Sequence, residues 1–376
     1  MTELAPLDAA VLPGGVRSRF IDGVNGLRLH ILEAGFEGEE RPLVLLLHGF
    51  PELAYSWRKV LPALAAAGFH AVAPDQRGYG RTTGWDPDYD GDLASFRPLN
   101  LVRDLMGLLA GLGRTVAHAV VGHDFGAPVA AWAALVRPDL FQRLALLAAP
   151  FAGPPSLRSG VVAPAGDIHA DLAALPRPRK HYHWYYSTRA ANADMMTCPQ
   201  GLTAFLRAYY HQKSADWPAN RPHPLAGWTA QELAKMPTYY VMDLARNMAQ
   251  TVAEAEGPEP KGAACAWLTD AELAVYAQEY ARTGFQGGLQ WYRCVTERVL
   301  AEELEVFSGR RIEVPATFLA GDADWCLYQS PGAVERMRRV IPKLDGVHNI
   351  PGAGHWLQQE QPETVNRRLL ALLAAV

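Results

Sequence analysis

The strongest chemical signal in the sequence is an aspartate placed between two glycines. Residues 122–126 read Gly-His-Asp-Phe-Gly and lie between an apolar run and a stretch rich in small residues. Glycines two positions before and after a side chain allow a sharp strand-to-helix turn that exposes it, here Asp124. The N-terminus of the following helix favours a negative charge, so Asp124 is a candidate nucleophile. The alternative is that Asp124 only caps this helix, because aspartate is a preferred N-cap residue.

A second turn, after an earlier apolar run, could supply hydrogen-bond donors. Residues 48–51 read His-Gly-Phe-Pro and follow the apolar segment Leu43–Leu47, where one backbone N–H of an oxyanion hole is expected. The N–H of Phe50 is one candidate donor. The N–H of Phe125 is the other, because it directly follows the candidate nucleophile. The alternative is a turn with only a structural purpose.

Acidic and histidine side chains follow two apolar runs near the end of the chain. Asp322 and Asp324 come after residues 314–319, and His355 follows the next run in a glycine-rich turn. The order nucleophile, acid, histidine is that of the α/β-hydrolases, in which the acid orients the imidazole and stabilises its charged form. We favour Asp324 over Asp322 as the acid. His348 competes for the histidine role, but it lies within the apolar run itself.

These residues need a scaffold that brings strand ends together, and the sequence predicts one. Short apolar runs alternate with stretches of helical spacing in the first part of the chain and again towards its end. This alternation predicts a parallel sheet that is covered by helices on both faces. The predicted strands are 27–32, 43–47, 70–73, 118–121, 143–147, 314–319 and 346–350. The predicted helices beside them are 57–67, 101–112, 125–136, 331–339 and 362–375.

The middle of the chain has a different composition, rich in tyrosine and tryptophan, and it lacks the strand–helix–strand pattern. We predict one α/β domain, formed by residues 1–152 and 301–376, that is interrupted by a mostly helical domain, residues 153–300. Residues 254–262 are predicted to form a loop rich in proline, glycine and glutamate. The helices predicted in the middle of the chain are 202–212, 271–281 and 290–303.

Composition and charge exclude several classes of protein. The chain has 376 residues, a formal net charge of −4 and a pI near 6.3, and this mildly acidic balance argues against nucleic acid as the main partner. The apolar runs are too short to span a bilayer, and the first 20 residues do not read as a secretory signal, so we expect a cytoplasmic protein. The cysteines lack metal-ligand spacing, so ordinary thiols are predicted and no metal or cofactor is implied. They are Cys198, Cys265, Cys294 and Cys326.

Taken together, these motifs resemble the epoxide hydrolase branch of the α/β-hydrolase fold family. The resemblance covers nearly the whole chain from about Arg19 onward and is weakest between about residues 195 and 268. It implies a mostly parallel central sheet flanked by helices, with the middle of the chain as an inserted helical cap. The motifs that carry it are residues 48–52 with 55–58, 74–75 with 77–80, 122–126, 284–285 with 291–293, Gly321 with Asp324, and 354–356.

The resemblance also implies two residues that the spacing alone does not identify. Members of this family use two cap tyrosines as acids that hold the epoxide oxygen. Tyr292, in the run Trp-Tyr-Arg, matches one of them, and Tyr182, which opens the run Tyr-His-Trp-Tyr-Tyr, matches the other. The nearby Tyr185 and Tyr186 leave the second match open. Packing of aromatic rings in the cap is the alternative for any of these tyrosines.

The residues and the resemblance together imply hydrolysis in two steps, with an epoxide and water as partners. Asp124 would attack an epoxide carbon to form an ester, while the two tyrosines protonate the epoxide oxygen. His355, oriented by Asp324, would then activate water to attack the ester carbonyl, whose oxygen faces the two backbone N–H groups. A serine in place of the aspartate would form a stable ether instead. The residues predicted to line the substrate pocket are Trp184, Tyr185 and Trp291.

Two other functions are open on this fold. A haloalkane or haloacid dehalogenase would use the same Asp-His-Asp residues, but these enzymes favour a tryptophan or an arginine after the nucleophile, where this chain has Phe125. The tyrosine pair also suits an alkoxide better than a halide. A non-catalytic binding protein is the second alternative, because fold alone does not fix function. Every expected catalytic position is filled, however, which favours an enzyme.

Overall fold

Ten strands form two sheets in the part of the chain that the computed structural model describes, which is residues 4–38, 41–157, 166–257 and 265–375. In chain order, the strands are β1 (Val16–Val24), β2 (Leu27–Ala34), β3 (Leu43–Leu47), β4 (His70–Pro74), β5 (Ala119–His123), β6 (Leu144–Leu147), β7 (Arg179–His181), β8 (Val241–Asp243), β9 (Ala316–Gly321) and β10 (Leu344–Ile350).

The larger sheet has the strand order β1-β2-β4-β3-β5-β6-β9-β10. Strand β2 pairs antiparallel with β1 and β4, and all the other neighbours are parallel. Strands β3, β5 and β6 are buried along their whole length, because helices cover both faces of this sheet. All seven strands that the sequence predicts are confirmed, as is the mostly parallel sheet flanked by helices.

Strand β1 is the element of this sheet that the sequence pattern does not predict. Its buried residues are Val16, Ile21 and Val24, which do not follow the period of two that marks a half-buried strand. The register between β1 and β2 shifts between Ile21 and Val24. This irregularity breaks the alternation and hides the strand from a pattern search.

Helices account for most of the remaining elements. In chain order, the α-helices are α1 (Leu61–Ala66), α2 (Pro98–Gly111), α3 (Gly126–Val136), α4 (Ile168–Ala173), α5 (Tyr182–Tyr186), α6 (Ala190–Met196), α7 (Leu202–Gln212), α8 (Ala230–Leu233), α9 (Met248–Glu256), α10 (Asp270–Thr283), α11 (Gln286–Thr296), α12 (Ala333–Val340), α13 (Leu357–Glu360) and α14 (Pro362–Ala374).

Helix α1 is shorter than the spacing predicts. A helix is predicted over residues 57–67, but α1 begins at Leu61 and follows the 3₁₀ turn Ala54–Trp57. Pro62 lies in the first turn of α1, and the helix cannot extend far ahead of it because proline has no N–H and its ring clashes with a preceding turn. The prediction of the longer helix is therefore wrong.

Helix α11 also differs from its prediction, which places a helix over residues 290–303. The helix begins and ends earlier, and the 3₁₀ helix Arg298–Phe307 follows it. The break is at Glu297, whose φ of −83° and ψ of 84° are not helical. The prediction is wrong in its bounds, although it identifies the segment as helical.

The predicted loop over residues 254–262 is wrong at its start. Residues 254–256 are the last turn of α9, which ends at Gly257 with a φ of 75°. Glycine is favoured in this conformation and commonly ends helices. Residues 258–262 lie outside the described residues.

The middle of the chain, predicted as residues 153–300 and called the cap below, contains helices α4 to α11 and the antiparallel pair β7–β8. Within it, α11 packs against α5, and α7 packs against α9 and α10. The cap thus brings α5 and α11, which carry the candidate tyrosines, side by side.

Among the residues described here, no helix combines the length and the apolar character that a bilayer crossing requires.

Candidate active site

The turn between β5 and α3 holds Asp124 in a strained conformation. Its φ of 51° lies in the left-handed region, which a non-glycine residue rarely adopts. A Cβ at Gly122 would lie 2.1 Å from the carbonyl oxygen of Gly126, and a Cβ at Gly126 would lie 2.3 Å from that of Leu47. Both positions therefore require glycine, in agreement with the spacing on which the prediction rests.

Three side chains form a line at the carboxyl ends of parallel strands. Asp124 follows β5, Asp324 follows β9 and His355 follows β10. The Nε2 atom of His355 lies 3.3 Å from Oδ2 of Asp124, and its Nδ1 atom lies 3.1 Å from Oδ2 of Asp324. His355 and Asp324 are both buried. The imidazole is thus placed between the candidate nucleophile and the candidate acid.

The two competing residues lie away from this line. Oδ1 of Asp322 accepts the N–H of Gly352 at 3.2 Å at an exposed position. Nε2 of His348 lies 3.2 Å from Oδ1 of Asp345, on the same strand β10. The geometry therefore favours the residues that the sequence ranked first.

The turn after β3 approaches the carboxylate of Asp124. The N–H of Phe50 donates to Oδ1 of Asp124 at 2.9 Å. A Cβ at Gly49 would lie 2.3 Å from the Asp124 Cβ, so glycine is what lets the two segments come this close. Phe125 directly precedes the first residue of α3, where the N–H groups have no acceptor within the helix. One predicted donor thus contacts the carboxylate, and the other lies beside it in the chain.

Two buried tyrosines of the cap lie beside this turn. Tyr182 begins α5 and Tyr292 lies on α11, and their ring centroids are 5.8 Å apart. The Tyr292 ring packs edge-on against Phe50 at 5.3 Å and against Phe125 at 4.6 Å. The hydroxyl of Tyr182 donates to Oε1 of Gln329 at 3.2 Å. The structure therefore places Tyr292 against Phe50 and Phe125, and Tyr182 next to Tyr292.

Tyr186 belongs to the same aromatic group. It follows Tyr182 by four positions, which places both on one face of α5, and their ring centroids are 5.7 Å apart. The Tyr186 ring also lies 4.8 Å from that of Tyr292. Tyr186 therefore packs against both candidate tyrosines, whereas the Tyr185 ring packs against Tyr186 and its hydroxyl contacts Asp194.

Two of the three predicted pocket residues have their contacts elsewhere in the cap. The ring of Trp184 packs against His169, with centroids 3.9 Å apart. The hydroxyl of Tyr185 donates to Oδ2 of Asp194 at 2.9 Å. The structure does not bring these two side chains to the Asp124 carboxylate.

Trp291, the third predicted pocket residue, lies next to the nucleophile turn. Its Nε1–H donates to the carbonyl oxygen of Arg77 at 3.0 Å, and its ring centroid is 5.8 Å from that of Phe125. These two rings and Trp132 line an apolar cavity of about 190 Å³. Trp291 therefore lies beside Phe125, but the Asp124 carboxylate is not among the groups that line this cavity.

Similarity to known proteins identifies the family. The family model described as alpha/beta hydrolase fold matches residues 42–362. The chain is 34% identical to Epoxide hydrolase B of Mycobacterium tuberculosis, over 93% of this chain and 96% of that protein. The structure of an epoxide hydrolase from an endophytic Streptomyces is 33% identical, has a TM-score of 0.74 and covers 96% of each chain. Epoxide Hydrolase A from Mycobacterium thermoresistibile is 34% identical, with a TM-score of 0.74 over 95% of this chain and 98% of that chain.

The chain belongs to the epoxide hydrolase branch of the α/β-hydrolase family. As a member of this branch it is a hydrolase, and its site charges fit that chemistry. Burial raises the pKa of Asp124, but the nearby imidazole of His355, whose Nε2 lies 3.3 Å from Oδ2, and the charge of Lys213 outweigh burial, so the pKa lies well below its usual value. An ionised carboxylate at neutral pH is what a nucleophile of this kind needs.

The pKa values of the two tyrosines are shifted in the opposite direction to that of Asp124. Burial raises the pKa of Tyr182 and of Tyr292 well above the usual value for a phenol, and the charge of Asp124 contributes to both. Both side chains therefore carry their proton at pH 7. A neutral hydroxyl next to an ionised carboxylate is the combination that can donate a proton to a forming alkoxide.

Lys213 is a site residue that the sequence analysis missed. It is 3% exposed, and its Nζ atom lies 3.5 Å from the hydroxyl of Tyr209 and 4.8 Å from the centre of the Tyr240 ring. Burial lowers its pKa, but Tyr209 and Asp124 raise it above the usual value, so the amine stays charged. Lysine is rarely buried, and no pattern around it in the sequence indicates burial.

A buried Glu–His pair behind the nucleophile was also missed. The Nδ1 atom of His123 lies 2.6 Å from Oε2 of Glu52, and its Nε2 atom lies 2.7 Å from the carbonyl oxygen of His355. Oε1 of Glu52 accepts a hydrogen bond from Gln359 at 2.7 Å. Glu52 and His123 both lie inside motifs that carry the family resemblance, but a motif alone does not show that they touch.

Cys326 is the fourth residue of the site that was not foreseen. Across the described ranges, the ligand atoms of Asp124, Cys326 and His355 form the one group of three such atoms within 4.8 Å of one another. Burial raises the pKa of the Cys326 thiol well above its usual value, and the charges of Asp324 and Asp124 add to this effect. Because a metal binds the thiolate rather than the thiol, the group is better suited to hydrogen bonding than to holding a metal ion.

Proposed function

We propose that this chain hydrolyses an epoxide to a vicinal diol through an ester on Asp124. The observation that carries the proposal is the surroundings of Asp124. Its carboxylate lies 3.3 Å from the imidazole of His355, and Tyr292, which packs against Tyr182, contacts the adjacent Phe125. Relatives named epoxide hydrolase, at 34% identity over nearly the whole chain, support it. The pair of phenols suits an alkoxide rather than a halide, so no observation favours a dehalogenase.

In the first step, Asp124 opens the epoxide ring. The N–H of Phe50 already occupies Oδ1 of Asp124, which leaves Oδ2 to attack the carbon. A new bond forms between Oδ2 and that carbon, the ring C–O bond breaks, and Tyr182 or Tyr292 gives its proton to the epoxide oxygen. The esterified Asp124 is neutral, so the charge that raises the pKa of both tyrosines is lost. The phenolate is then easier to form, and water reprotonates it.

In the second step, water cleaves the ester. Asp324 accepts the Nδ1–H of His355, so Nε2 can take a proton from water. The hydroxide adds to Cγ of Asp124, and the charge on Oδ1 is stabilised by the N–H groups of Phe50 and Phe125. Loss of one such donor costs about 3–4 kcal/mol of transition-state stabilisation. The intermediate collapses, and the diol leaves with the proton from His355. The Asp124 carboxyl group, which keeps one oxygen from water, then releases its proton to the solvent and returns to the carboxylate, which balances the proton that water gave to the tyrosine.

We also assign the domains by this chemistry. Residues 1–152 and 301–376 form the hydrolase core, and residues 153–300 form the cap. In support, Asp124, Asp324 and His355 follow strands of the large sheet, whereas both tyrosines lie on cap helices. Closure of the site then depends on the contact between the two parts.

The test is a panel of aryl, alkyl and trans-disubstituted epoxides together with haloalkanes. Diol formation and halide release are measured for the wild-type protein and for Asp124→Ala. We expect diol from at least one epoxide and none from the variant. Halide release without diol would favour a dehalogenase. If no substrate of the panel yields diol or halide, and no ester is trapped on a His355→Gln variant, a binding protein would be favoured.

A further inference from the structure

Glu360, the last residue of α13, accepts three backbone hydrogen bonds. Its Oε2 atom accepts the N–H of Gly354 at 2.9 Å and that of Ala215 at 2.8 Å, and its Oε1 atom accepts the N–H of Trp356 at 2.9 Å. Gly354 and Trp356 are the two neighbours of His355, whereas Ala215 belongs to the cap. A single carboxylate thus ties the peptide groups around the histidine to the cap backbone.

The same cap segment, residues 213–215, also holds the backbone of His355 directly. The N–H of His355 donates to the carbonyl oxygen of Lys213 at 2.8 Å. Gly354 lies so close to this segment that a Cβ there would be 2.5 Å from the same oxygen and 2.7 Å from the nitrogen of Ala215. The position of His355 therefore depends on where this cap segment lies.

The three donors need a carboxylate rather than another polar side chain. An ionised carboxyl group has two acceptor oxygens and no donor, and such charge-assisted hydrogen bonds are stronger than neutral ones. Burial raises the pKa of Glu360 to about 8, and the three N–H donors oppose that rise. The carboxyl group is therefore ionised above about pH 8, so the kinetics that test its role are measured at pH 9. A glutamine would keep one acceptor oxygen and would turn its own N–H groups towards at least one of the donors.

We propose that Glu360 is a positioning residue for ester hydrolysis, and this inference rests on the two-step function above. It holds the His355 loop against residues 213–215, in the register that lets Nε2 of His355 reach the ester on Asp124. Ring opening needs the carboxylate and the tyrosines but no base. The position of the histidine therefore matters for the second step and much less for the first.

The experiment is a single-turnover reaction of styrene oxide with an excess of protein. Rapid acid quench and mass spectrometry of the intact chain give the rates at which the ester on Asp124 forms and disappears. The variants are Glu360→Gln and Glu360→Asp. The matched control is Glu363→Gln, which alters an exposed carboxylate three positions away. Thermal unfolding of each variant measures its stability separately.

We expect Glu360→Gln to form the ester at nearly the wild-type rate and to hydrolyse it about 100-fold more slowly, because a shift of about 1 Å in a reacting group can cost this much. Glu360→Asp should show a smaller effect in the same step, and it carries the test if the glutamine variant does not fold. Wild-type hydrolysis in both variants, or equal slowing of both steps, would overturn the inference. If the wild-type protein forms diol without any ester, the proposed function itself fails, and this inference fails with it.

Discussion

Asp124 combines a strained backbone conformation with a carboxylate oxygen, Oδ2, that is left to attack the substrate in the proposed mechanism. The φ of 51° turns its side chain towards both the Phe50 N–H and His355. One carboxylate oxygen is thereby fixed and the other is left for attack. The strain persists because Gly122 and Gly126 allow the surrounding backbone to close around the turn, and strain of this kind clusters at functional sites.

The tyrosine pair yields a prediction for single residues. Tyr292→Phe removes a proton donor beside the nucleophile turn, so formation of the ester should slow by about 100-fold, the lower end of the range for a general acid. Tyr185→Phe is the control, because its hydroxyl contacts Asp194 in the cap. Stopped-flow or quench kinetics under single-turnover conditions measure this step. Equal rates for the two variants would remove Tyr292 from the mechanism.

For single residues, the sequence predicts the positions that depend on the spacing of nearby residues in the chain. Asp124 and His355 lie in glycine-rich turns directly after apolar runs, so their placement follows from local pattern. Glu360 meets Ala215 across 145 positions of the chain, and no local pattern encodes that contact. Tyr185 is predicted to line the pocket, but its hydroxyl contacts Asp194 in the cap. Residues three and four positions apart both share a helix face, so spacing does not show that Tyr186 packs against Tyr182 and Tyr292.

At the scale of elements, the contact between α11 and the turn after β4 is too close to admit a side chain on either adjacent glycine of α11. A Cβ at Gly287 would lie 2.0 Å from the carbonyl oxygen of Gly78, and one at Gly288 would lie 2.7 Å from the ring of Phe50. Helix α11 carries both Trp291 and Tyr292, one of the two proposed acids. Two adjacent glycines therefore set how closely that tyrosine approaches the core.

This contact predicts the effect of Gly287→Ala. The added methyl must push α11 away from the core, with a loss of about 1–3 kcal/mol in unfolding free energy, as for other overpacked positions. We also expect slower ester formation, because Tyr292 moves with the helix. Gly227→Ala is the control, since a Cβ there meets no atom within 4 Å. Urea unfolding and single-turnover rates test both parts, and a variant with wild-type kinetics would contradict this account.

Glu33 links three strands and gives a prediction for pH. Burial alone would raise the pKa of Glu33, but hydrogen bonds from His70, Arg19 and Arg17 lower it from 4.5 to about 2. Because the folded-state pKa is depressed, the stabilisation is complete above about pH 4.5 and is lost as the pH falls through about 2. These bonds join β1, β2 and β4 at one edge of the sheet.

Glu33→Gln should therefore lower the unfolding free energy at pH 7 by about 1.5–3 kcal/mol, the range for hydrogen bonds to charged groups. It should also flatten the fall in stability between pH 4.5 and pH 2. Urea titrations followed by circular dichroism over this range measure both effects. Glu313→Gln is the control, because its ion pair with Arg311 is exposed. The same slope in wild-type and Glu33→Gln proteins would refute the assignment.

The elements of the sheet were predictable for a physical reason, and so were the exceptions. Strands β3, β5 and β6 are buried on both faces and read as unbroken apolar runs. Strand β1 lies at the edge with an irregular register, so it has no alternating pattern. The bounds of α1 depend on Pro62, whose restriction outweighs the apolar spacing around it.

For the molecule as a whole, the proposed reaction divides between two parts of one chain. The nucleophile, the acid and the histidine follow strands of the large sheet, while the tyrosines and Lys213 come from the cap. The alternation of strands and helices predicts the sheet, and the change in composition predicts a separate middle segment. How the cap lies on the sheet could not be predicted, because it depends on contacts such as that of Glu360, which form only in the folded chain.

The most direct test of the central claim follows the oxygen atoms of a single turnover. An excess of the protein converts one portion of epoxide in ¹⁸O-labelled water, and mass spectrometry examines both the diol and the peptide that contains Asp124. The ester mechanism predicts an unlabelled diol and one ¹⁸O atom on Asp124, because water attacks the carboxyl carbon. A labelled diol with an unlabelled peptide would mean that water attacks the epoxide directly, and it would contradict Asp124 as the nucleophile.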